Sequence, residues 1–292
     1  MLYTGYLQTL SILHEPSARA TKRTDPLPPP HLTFTAGFVA GSIQSLIAAP
    51  LDALQVRFQS REMLAGKYSN MWTYAFHKIL EIGPRGVFAG WSLSLLRDSL
   101  GSAVFFSTFE IVKGQAFYAF VSKWYGKFGQ LDDAQQEALR LQAREGKVSS
   151  PVIRPHYLLE PTFIALAGVA ASIGQALIQY PIGRVLDVHY GRLAWIDAHP
   201  KPEPGSKGVL RTRAALGVYA AAYKKTAKQC LAIARREGGV KRWLYRGFLW
   251  RTLTQVPSTS AGLIVFEVIR RKYGDKSDVV RIQQDGYDVE LV

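Results

Sequence analysis

Two long stretches of the chain contain no Asp, Glu, Lys or Arg, and they constrain the fold more than any other feature. Residues 161–183 are uncharged throughout, and so are residues 26–51, of which 33–51 suit a membrane helix. A transmembrane helix needs about 20 consecutive, mainly apolar residues. Each stretch is long enough to span a bilayer, although two buried core helices of a soluble protein would also explain the pattern.

Positive charge is concentrated in one segment beside these stretches. The chain has a net charge of +14, and residues 188–246 hold 13 Lys/Arg against 3 Asp/Glu, a difference of +10. Excess Lys and Arg is typical of loops on the inner side of a membrane. A nucleic-acid-binding protein would need an aromatic and basic platform on a soluble fold, and the uncharged stretches argue against that. The single cysteine, Cys230, excludes an internal disulfide.

The chain contains an internal repeat. AGFVAGSIQSLIAAPLDALQVR resembles AGVAASIGQALIQYPIGRVLDV at an offset of 131 residues, which matches Gly37 to Gly168 and Pro50 to Pro181. Small residues four apart let membrane helices approach closely. Pro50 and Pro181 each remove a backbone donor and are predicted to kink their helices. A bilayer tolerates this only where protein or water satisfies the freed carbonyl.

A second pair of segments extends the repeat. GWSLSLLRDSLGSAVFFSTFEIVK resembles GFLWRTLTQVPSTSAGLIVFEVIR at an offset of 157 residues, and the longer offset reflects a basic insertion near residues 197–215. Each unit is predicted to hold a small-residue helix that ends in a proline turn, an amphipathic surface stretch and a second apolar helix. The amphipathic stretches are residues 68–82 and 219–236.

Motifs at these positions resemble those of the mitochondrial carrier family. The signature that follows the odd-numbered helices of the family is approached by Pro50, Asp52 and Arg57. The even-helix motif, aromatic-acid-x-x-base, occurs twice, as Phe109-Glu110-x-x-Lys113 and Phe266-Glu267-x-x-Arg270. The aromatic-basic-Gly element occurs as Tyr245-Arg246-Gly247. The resemblance covers roughly residues 33–115 and 160–272.

The resemblance implies an all-α membrane protein of the mitochondrial inner membrane. Its carrier-like bundle would have two visible repeats, with four membrane-spanning helices and two surface amphipathic helices. The implied domains are an N-terminal segment with a proline-rich linker (1–32), a repeat (33–120), a polar connector (121–159), a repeat with the basic insertion (160–275) and a tail (276–292). Because the family has three repeats, a non-transporting scaffold and a truncated carrier stay open beside transport.

The resemblance also implies two gates of charged residues. The matrix-side gate would contain Asp52 and Arg57, and the outer-side gate would contain Glu110, Lys113, Glu267 and Arg270. Without the family, Lys113 and Arg270 are equally well explained as interfacial side chains that extend towards water. Gly183 and Leu186 stand where the second odd-helix signature needs an acid and a base, so Arg184 is the nearest candidate partner for Asp52.

A polar stripe gives the candidate solute site. Gly90, Ser94, Arg97, Gly101 and Thr108 recur on one helical face, which predicts a water-facing stripe, and the last helix matches it with Arg251, Thr254 and Ser258. An intramembrane arginine is a functional-site hypothesis by default, although Arg97 could simply pair with Asp98 or Asp52. In the family the substrate contact point falls on Arg97 and Asp98, which implies a small anionic or zwitterionic solute of the carboxylate or amino acid class.

The sequence contains few motifs for catalysis, phosphate binding or metal binding. We find no glycine-rich phosphate loop, no Ser-His-Asp arrangement and no histidines at metal-ligand spacing. We therefore expect no enzyme activity, cofactor, metal or nucleic-acid partner. The expected partners are the small-molecule solute and membrane lipid, including anionic lipid at the matrix-side amphipathic helices. The sequence leaves the oligomeric state open.

Overall fold

The computed structural model describes 2–15, 17, 27–57, 70, 72–73, 76–77, 80, 88, 90–125, 137, 152–153, 155–156, 159–198, 209–273, 280–284 and 287–291. The α-helices are α1 (Leu2–Leu13), α2 (Pro30–Arg57), α3 (Trp91–Glu110), α4 (Phe117–Tyr125), α5 (Leu159–Ala198), α6 (Val209–Arg236), α7 (Val240–Leu244) and α8 (Phe248–Tyr273). A π-helix, Ile111–Ala116, joins α3 to α4. Three strands complete the described elements: β1 (Val152–Ile153), β2 (Val280–Gln284) and β3 (Tyr287–Leu291).

The four long helices of the predicted bundle are all present as α2, α3, α5 and α8. Among the described residues, two segments are long and apolar enough to cross a membrane: Pro30–Asp52 and Leu159–Trp195. Their most apolar windows are 39% and 33% buried, whereas a core helix of a soluble protein is mostly buried. This exposure fits helices whose apolar faces meet lipid, and the predicted helical bundle is confirmed.

The two odd helices do not end at their prolines, so the predicted proline turns are wrong. Helix α2 continues past Pro50 to Arg57, and α5 continues past Pro181 to Ala198. A proline in a helix frees the carbonyl four residues earlier, which is Leu177 for Pro181. The hydroxyl of Tyr245 donates a hydrogen bond to this carbonyl at 3.1 Å. The lost helical hydrogen bond is therefore replaced; a kink at either proline stays a prediction.

The predicted amphipathic stretch at 219–236 is confirmed as part of α6. Ala222, Thr226, Cys230 and Ala234 are buried at every fourth position, so one face of the helix packs onto the protein. Burial also raises the pKa of the Cys230 thiol, which keeps the thiol protonated at neutral pH. The side chains of the basic insertion at 197–215 lie outside the described residues. So does most of the stretch at 68–82 and most of the connector at 121–159.

The structure adds elements that were not predicted. Strand β3 pairs antiparallel with β2 and parallel with β1, so the predicted C-terminal tail forms part of a three-stranded sheet. Val289 of β3 is buried with Phe117 and Val121. Helix α1 packs through Tyr6, whose ring stacks on that of Phe106 at 3.9 Å. The bundle is all-α as predicted, and the sheet lies outside both repeats.

The chain divides into two compact units. The first unit contains Met1–Leu2, Phe38–Ser102 and Ala176–Phe248. The second unit contains Tyr3–Gly37, Ala103–Gln175 and Leu249–Val292. The first unit holds Pro181 of α5, helix α6 and the polar residues around Arg97, whereas the second holds α1 from Tyr3 onwards and the sheet.

Candidate functional site

Five polar side chains from three helices meet in the first unit. Asp52 comes from α2, Ser94, Arg97 and Asp98 come from α3, and Tyr190 comes from α5; we call this set the polar cluster. Sequence analysis had predicted roles for four of the five, and the structure brings those four together. Tyr190 was not predicted, because no motif or repeat position marks it.

Arg97 and Asp98 form a two-point ion pair. Arg97 Nε donates to Asp98 Oδ1 at 2.8 Å, and the Nη2 group donates to Oδ2 at 3.1 Å. The two side chains are 30% and 16% exposed, so solvent screens this pair less than a surface pair. Bidentate pairs of this kind are among the stronger hydrogen bonds in proteins. Of the two interpretations that the sequence left open, the structure shows Arg97 paired.

Ser94 links the two carboxylates of the cluster. Its hydroxyl donates to Asp52 Oδ2 at 3.0 Å and has a longer contact with Asp98 Oδ2, at 3.4 Å. Ser94 is only 1% exposed, so water competes little for the hydroxyl. Asp52 therefore belongs to the same cluster as the ion pair. Arg184, its predicted partner, lies elsewhere, with its guanidinium over the Trp243 ring at 5.7 Å.

A close approach of two helices fixes the position of Asp98. A Cβ atom at Gly41 would lie 2.6 Å from the carbonyl oxygen of Asp98 and 2.9 Å from the Cα of Ser99. The hydroxyls of Ser42 and Ser99 also share a hydrogen bond at 2.9 Å. This is the contact that the predicted small-residue pattern of α2 allows, and it places the Asp98 backbone directly against α2.

The predicted water-facing stripe of α3 packs largely against protein. Tyr190 lies against Gly90, and Gln179 lies against Gly101. In the second unit, Thr108 faces Gly174, where a Cβ atom would stand 3.4 Å from the threonine hydroxyl. The small residues of the stripe leave space for side chains from α5. The stripe is therefore a helix-packing face, and it does not line a water-filled path along α3.

The remaining predicted solute residues lie on α8, in the second unit. Arg251, Thr254 and Ser258 are all exposed. The Thr254 hydroxyl donates within its own helix, to the carbonyls of Arg251 at 2.9 Å and Trp250 at 3.2 Å. The helix backbone therefore already uses this hydroxyl. The solute role of these three residues stays a prediction.

The structure describes only part of the predicted outer-side gate. Glu110 and Lys113 are half-buried, and the Lys113 ammonium lies 5.5 Å from the centre of the Phe109 ring. Lys113 belongs to the π-helix, a rare geometry that often marks functional sites. The side chains of Glu267 and Arg270, and that of Arg57 in the matrix-side gate, lie outside the described residues.

Comparison with known proteins finds similarity to one family over part of the chain. A model of the family described as "Mitochondrial carrier protein" matches residues 28–118. The chain is 29% identical over 119 residues to "Dicarboxylate carrier UCP2" of Danio rerio, a match covering 41% of this chain and 36% of that protein. It is 32% identical over 90 residues to the "Mitochondrial glycine transporter" of Neosartorya fischeri, covering 30% of this chain and 26% of that protein. No solved structure matches.

These matches agree with the geometry. The matched residues 28–118 contain α2, α3 and the even-helix motif, as well as four members of the polar cluster. The matches span about a third or less of the length of these curated relatives. Over residues 28–118 the chain is therefore similar to the mitochondrial carrier family.

Proposed function

We propose that the protein is a multi-pass carrier that moves a small solute across the mitochondrial inner membrane. The family match and two segments able to cross a membrane support this proposal. The polar cluster provides charged groups on three helices, and charged groups on membrane helices are what a carrier needs to bind its solute. Members of this family are transporters, which supports a function other than catalysis.

The solute that fits the polar cluster best is a small zwitterion of the amino acid class. The main observation that supports a zwitterionic solute is the ion pair of Arg97 with Asp98. Two carboxylates face one guanidinium, so the cluster has a formal charge of −1. A dicarboxylate would add two further negative charges, whereas the ammonium group of an amino acid would offset the charge of Asp52.

Arg97 can still contribute to binding. A guanidinium has five N–H donors, and the ion pair with Asp98 uses two of them. The remaining donors suit the carboxylate of an amino acid, while Asp52 suits its ammonium group. One of the matched relatives carries the name of a glycine transporter, which agrees with a solute of this class.

Transport into liposomes tests the proposal. We expect the purified protein to take up labelled glycine and to take up a labelled four-carbon dicarboxylate at least tenfold more slowly. Asp52→Asn should weaken glycine uptake about tenfold, because it removes a charged hydrogen-bond partner that contributes about 1.5–3 kcal/mol. Thr73→Ala, at a half-buried threonine whose hydroxyl bonds locally to Asn70, is the control. Preference for the dicarboxylate would contradict the zwitterion, and no uptake of either would favour a scaffold.

We also propose that anionic lipid contacts helix α6. Lys224, Lys225 and Lys228 are exposed on the side of α6 opposite its buried stripe. Each basic residue near an anionic membrane contributes roughly 1 kcal/mol of binding free energy. Changing all three to Gln should therefore lower the bound fraction on anionic vesicles, measured by flotation, and make the remaining binding less sensitive to salt. Equal flotation of the variant and the unmodified protein would remove α6 as a lipid contact.

A further inference from the structure

Two tyrosine hydroxyls join α5 to the turn that precedes α8, and both tyrosines lie in the first unit. The Tyr245 hydroxyl donates a hydrogen bond to the carbonyl of Leu177 at 3.1 Å. In the opposite direction, the Tyr180 hydroxyl donates to the carbonyl of Arg246. The rings of both tyrosines contact the Phe248 ring edge to face, with ring centres 5.5 and 5.6 Å apart. We call this reciprocal pair of hydrogen bonds the tyrosine clasp.

Each half of the tyrosine clasp meets the backbone at a point where helical hydrogen bonding is interrupted. Leu177 lies four residues before Pro181, and proline has no N–H group to donate to the Leu177 carbonyl. Arg246 lies beside Gly247, whose φ of +82° is a conformation that favours glycine. A Cβ atom at Gly247 would also stand 3.2 Å from the Tyr180 hydroxyl. Side-chain hydroxyls therefore hold the backbone at both points.

The surroundings of Leu177 make the hydrogen bond from Tyr245 hard to replace. Leu177 lies inside the uncharged stretch 161–183, and the residue is 44% exposed on the surface of the protein. In a bilayer this surface meets lipid, which offers no hydrogen bond to a backbone group. The carbonyl that Pro181 frees therefore depends on a donor from the protein, and the Tyr245 hydroxyl is that donor.

The tyrosine clasp is specific to the second repeat. At the offsets of the internal repeat, Ala49 corresponds to Tyr180 and Phe88 corresponds to Tyr245. Neither alanine nor phenylalanine has a side-chain group that donates a hydrogen bond. The first repeat therefore passes its own proline, Pro50, without the two hydroxyls that the second repeat uses.

The tyrosine clasp also lies close to two boundaries of the first unit. One boundary falls between Gln175 and Ala176 in α5, and another falls between Phe248 and Leu249 in α8. The clasp joins these two segments of the chain near the points where each one leaves the first unit. Movements of protein domains are absorbed at a few residues in loops or at the ends of elements, so this is a position where a removable contact can control movement.

We propose that Tyr180 and Tyr245 are positioning residues whose clasp holds α5 in one conformation at Pro181 and opens during transport. This proposal rests on the proposed function, because alternating access requires one part of a carrier to move against another. The two hydrogen bonds stabilise the conformation in which they are made and are lost in the step that opens the clasp. They therefore slow that step, without touching the polar cluster.

Tyr245→Phe tests the proposal, because it removes the hydroxyl and keeps the ring beside Phe248. We expect the maximal rate of labelled glycine uptake into liposomes to rise about two- to tenfold, the factor that corresponds to one hydrogen bond. The half-saturating glycine concentration should stay unchanged, because the polar cluster is intact. Tyr180→Phe should act in the same direction. A maximal rate that falls or stays the same in both variants would overturn the proposal.

Tyr223→Phe is the matched control for the loss of a tyrosine hydroxyl. The Tyr223 hydroxyl shares a 2.7 Å hydrogen bond with Ser92, which joins α6 to α3 and involves neither proline nor the turn before α8. This variant should lose thermal stability as Tyr245→Phe does, but its maximal rate should stay within twofold of the unmodified protein. An equal rise in rate would overturn the proposal, because any lost hydrogen bond would then accelerate transport.

A second background tests the tyrosine clasp without a transport measurement. Pro181→Ala restores a backbone N–H group that can donate to the Leu177 carbonyl, so the Tyr245 hydroxyl is no longer needed there. Tyr245→Phe should lower the melting temperature by about 2–4 °C in the unmodified protein and increase amide hydrogen exchange in residues 178–184. In the Pro181→Ala background, both effects should be less than half as large.

The two measurements separate failure of the clasp from failure of the proposed function. Equal effects of Tyr245→Phe with and without Pro181 would overturn the clasp and leave the proposed transport standing. If the unmodified protein takes up no glycine, the proposed zwitterion transport falls and the opening of the clasp during transport falls with it. The melting temperatures and amide exchange would still decide whether Tyr245 holds α5 at Pro181.

Discussion

Arg97→Ala should destabilise the protein by about 3 kcal/mol, the lower end of the cost of breaking a buried ion pair. The change removes the positive charge of the polar cluster and leaves Asp52 and Asp98 facing each other across Ser94. We place the cost at the lower end because the Arg97 side chain is 30% exposed and water can solvate part of the freed charge. Thermal unfolding of the purified protein in detergent measures the effect.

Removing both charges of the ion pair tests the reason for this loss. Arg97→Ala combined with Asp98→Asn should be more stable than Arg97→Ala alone, since no uncompensated Asp98 charge is left. The control is Arg246→Ala, which breaks the 3.1 Å pair of Arg246 with Glu237 on the surface. The Arg246 side chain is 69% exposed, so we expect a loss of about 1 kcal/mol or less. A double variant as unstable as Arg97→Ala would contradict the charge explanation.

The partner of the Arg97 guanidinium could not be predicted from the sequence. Neighbouring residues on a helix point in directions about 100° apart, so Arg97 and Asp98 do not face each other by position alone. The long arginine side chain bends back to reach Asp98. Tertiary packing decides this rotamer, and the spacing of residues in the sequence does not predict it. The sequence therefore identified both residues but left open whether the guanidinium faces solute, Asp98 or Asp52.

No sequence pattern marked Tyr190 as a residue of the polar cluster. The position of the Tyr190 ring depends on Gly90, 100 residues earlier in the chain, which leaves space for the ring. In contrast, the sequence did contain a recognisable pattern for the antiparallel pair of strands β2 and β3 at the C-terminal end. Asp285 and Gly286 stand between two segments of alternating apolar and polar residues, VRIQQ and YDVEL. Asp-Gly between such segments is among the strongest hairpin signals.

The bundle itself was predictable, because its determinants are local and repeated. Uncharged stretches, small residues and the matched prolines each depend on a few neighbouring positions, and the 131-residue offset duplicates them. The length of α5 was not predictable from Pro181, because the helix continues through the proline with help from Tyr245. That hydroxyl lies 68 residues further along the chain, so the replacement hydrogen bond is a tertiary effect.

Gly41→Ala should lower the stability of the bundle by about 1–3 kcal/mol, the usual cost of overpacking. The new Cβ would stand 2.6 Å from the Asp98 carbonyl oxygen and 2.9 Å from the Ser99 Cα. Both are backbone atoms, so no side-chain rotation relieves the contact, and α2 and α3 must move apart. The Ser42–Ser99 hydrogen bond at 2.9 Å should weaken at the same time.

Gly191→Ala is the matched control for this change. Gly191 is also helical, and a Cβ there meets nothing within 4 Å. Alanine is favoured over glycine in a helix by about 1 kcal/mol, so the control should be neutral or slightly stabilising, opposite in sign to Gly41→Ala. Because Asp98 rests against Gly41, Gly41→Ala should also weaken glycine uptake, whereas Gly191→Ala should not. Equal melting temperatures for the two variants would show that α2 and α3 do not approach this closely in the membrane.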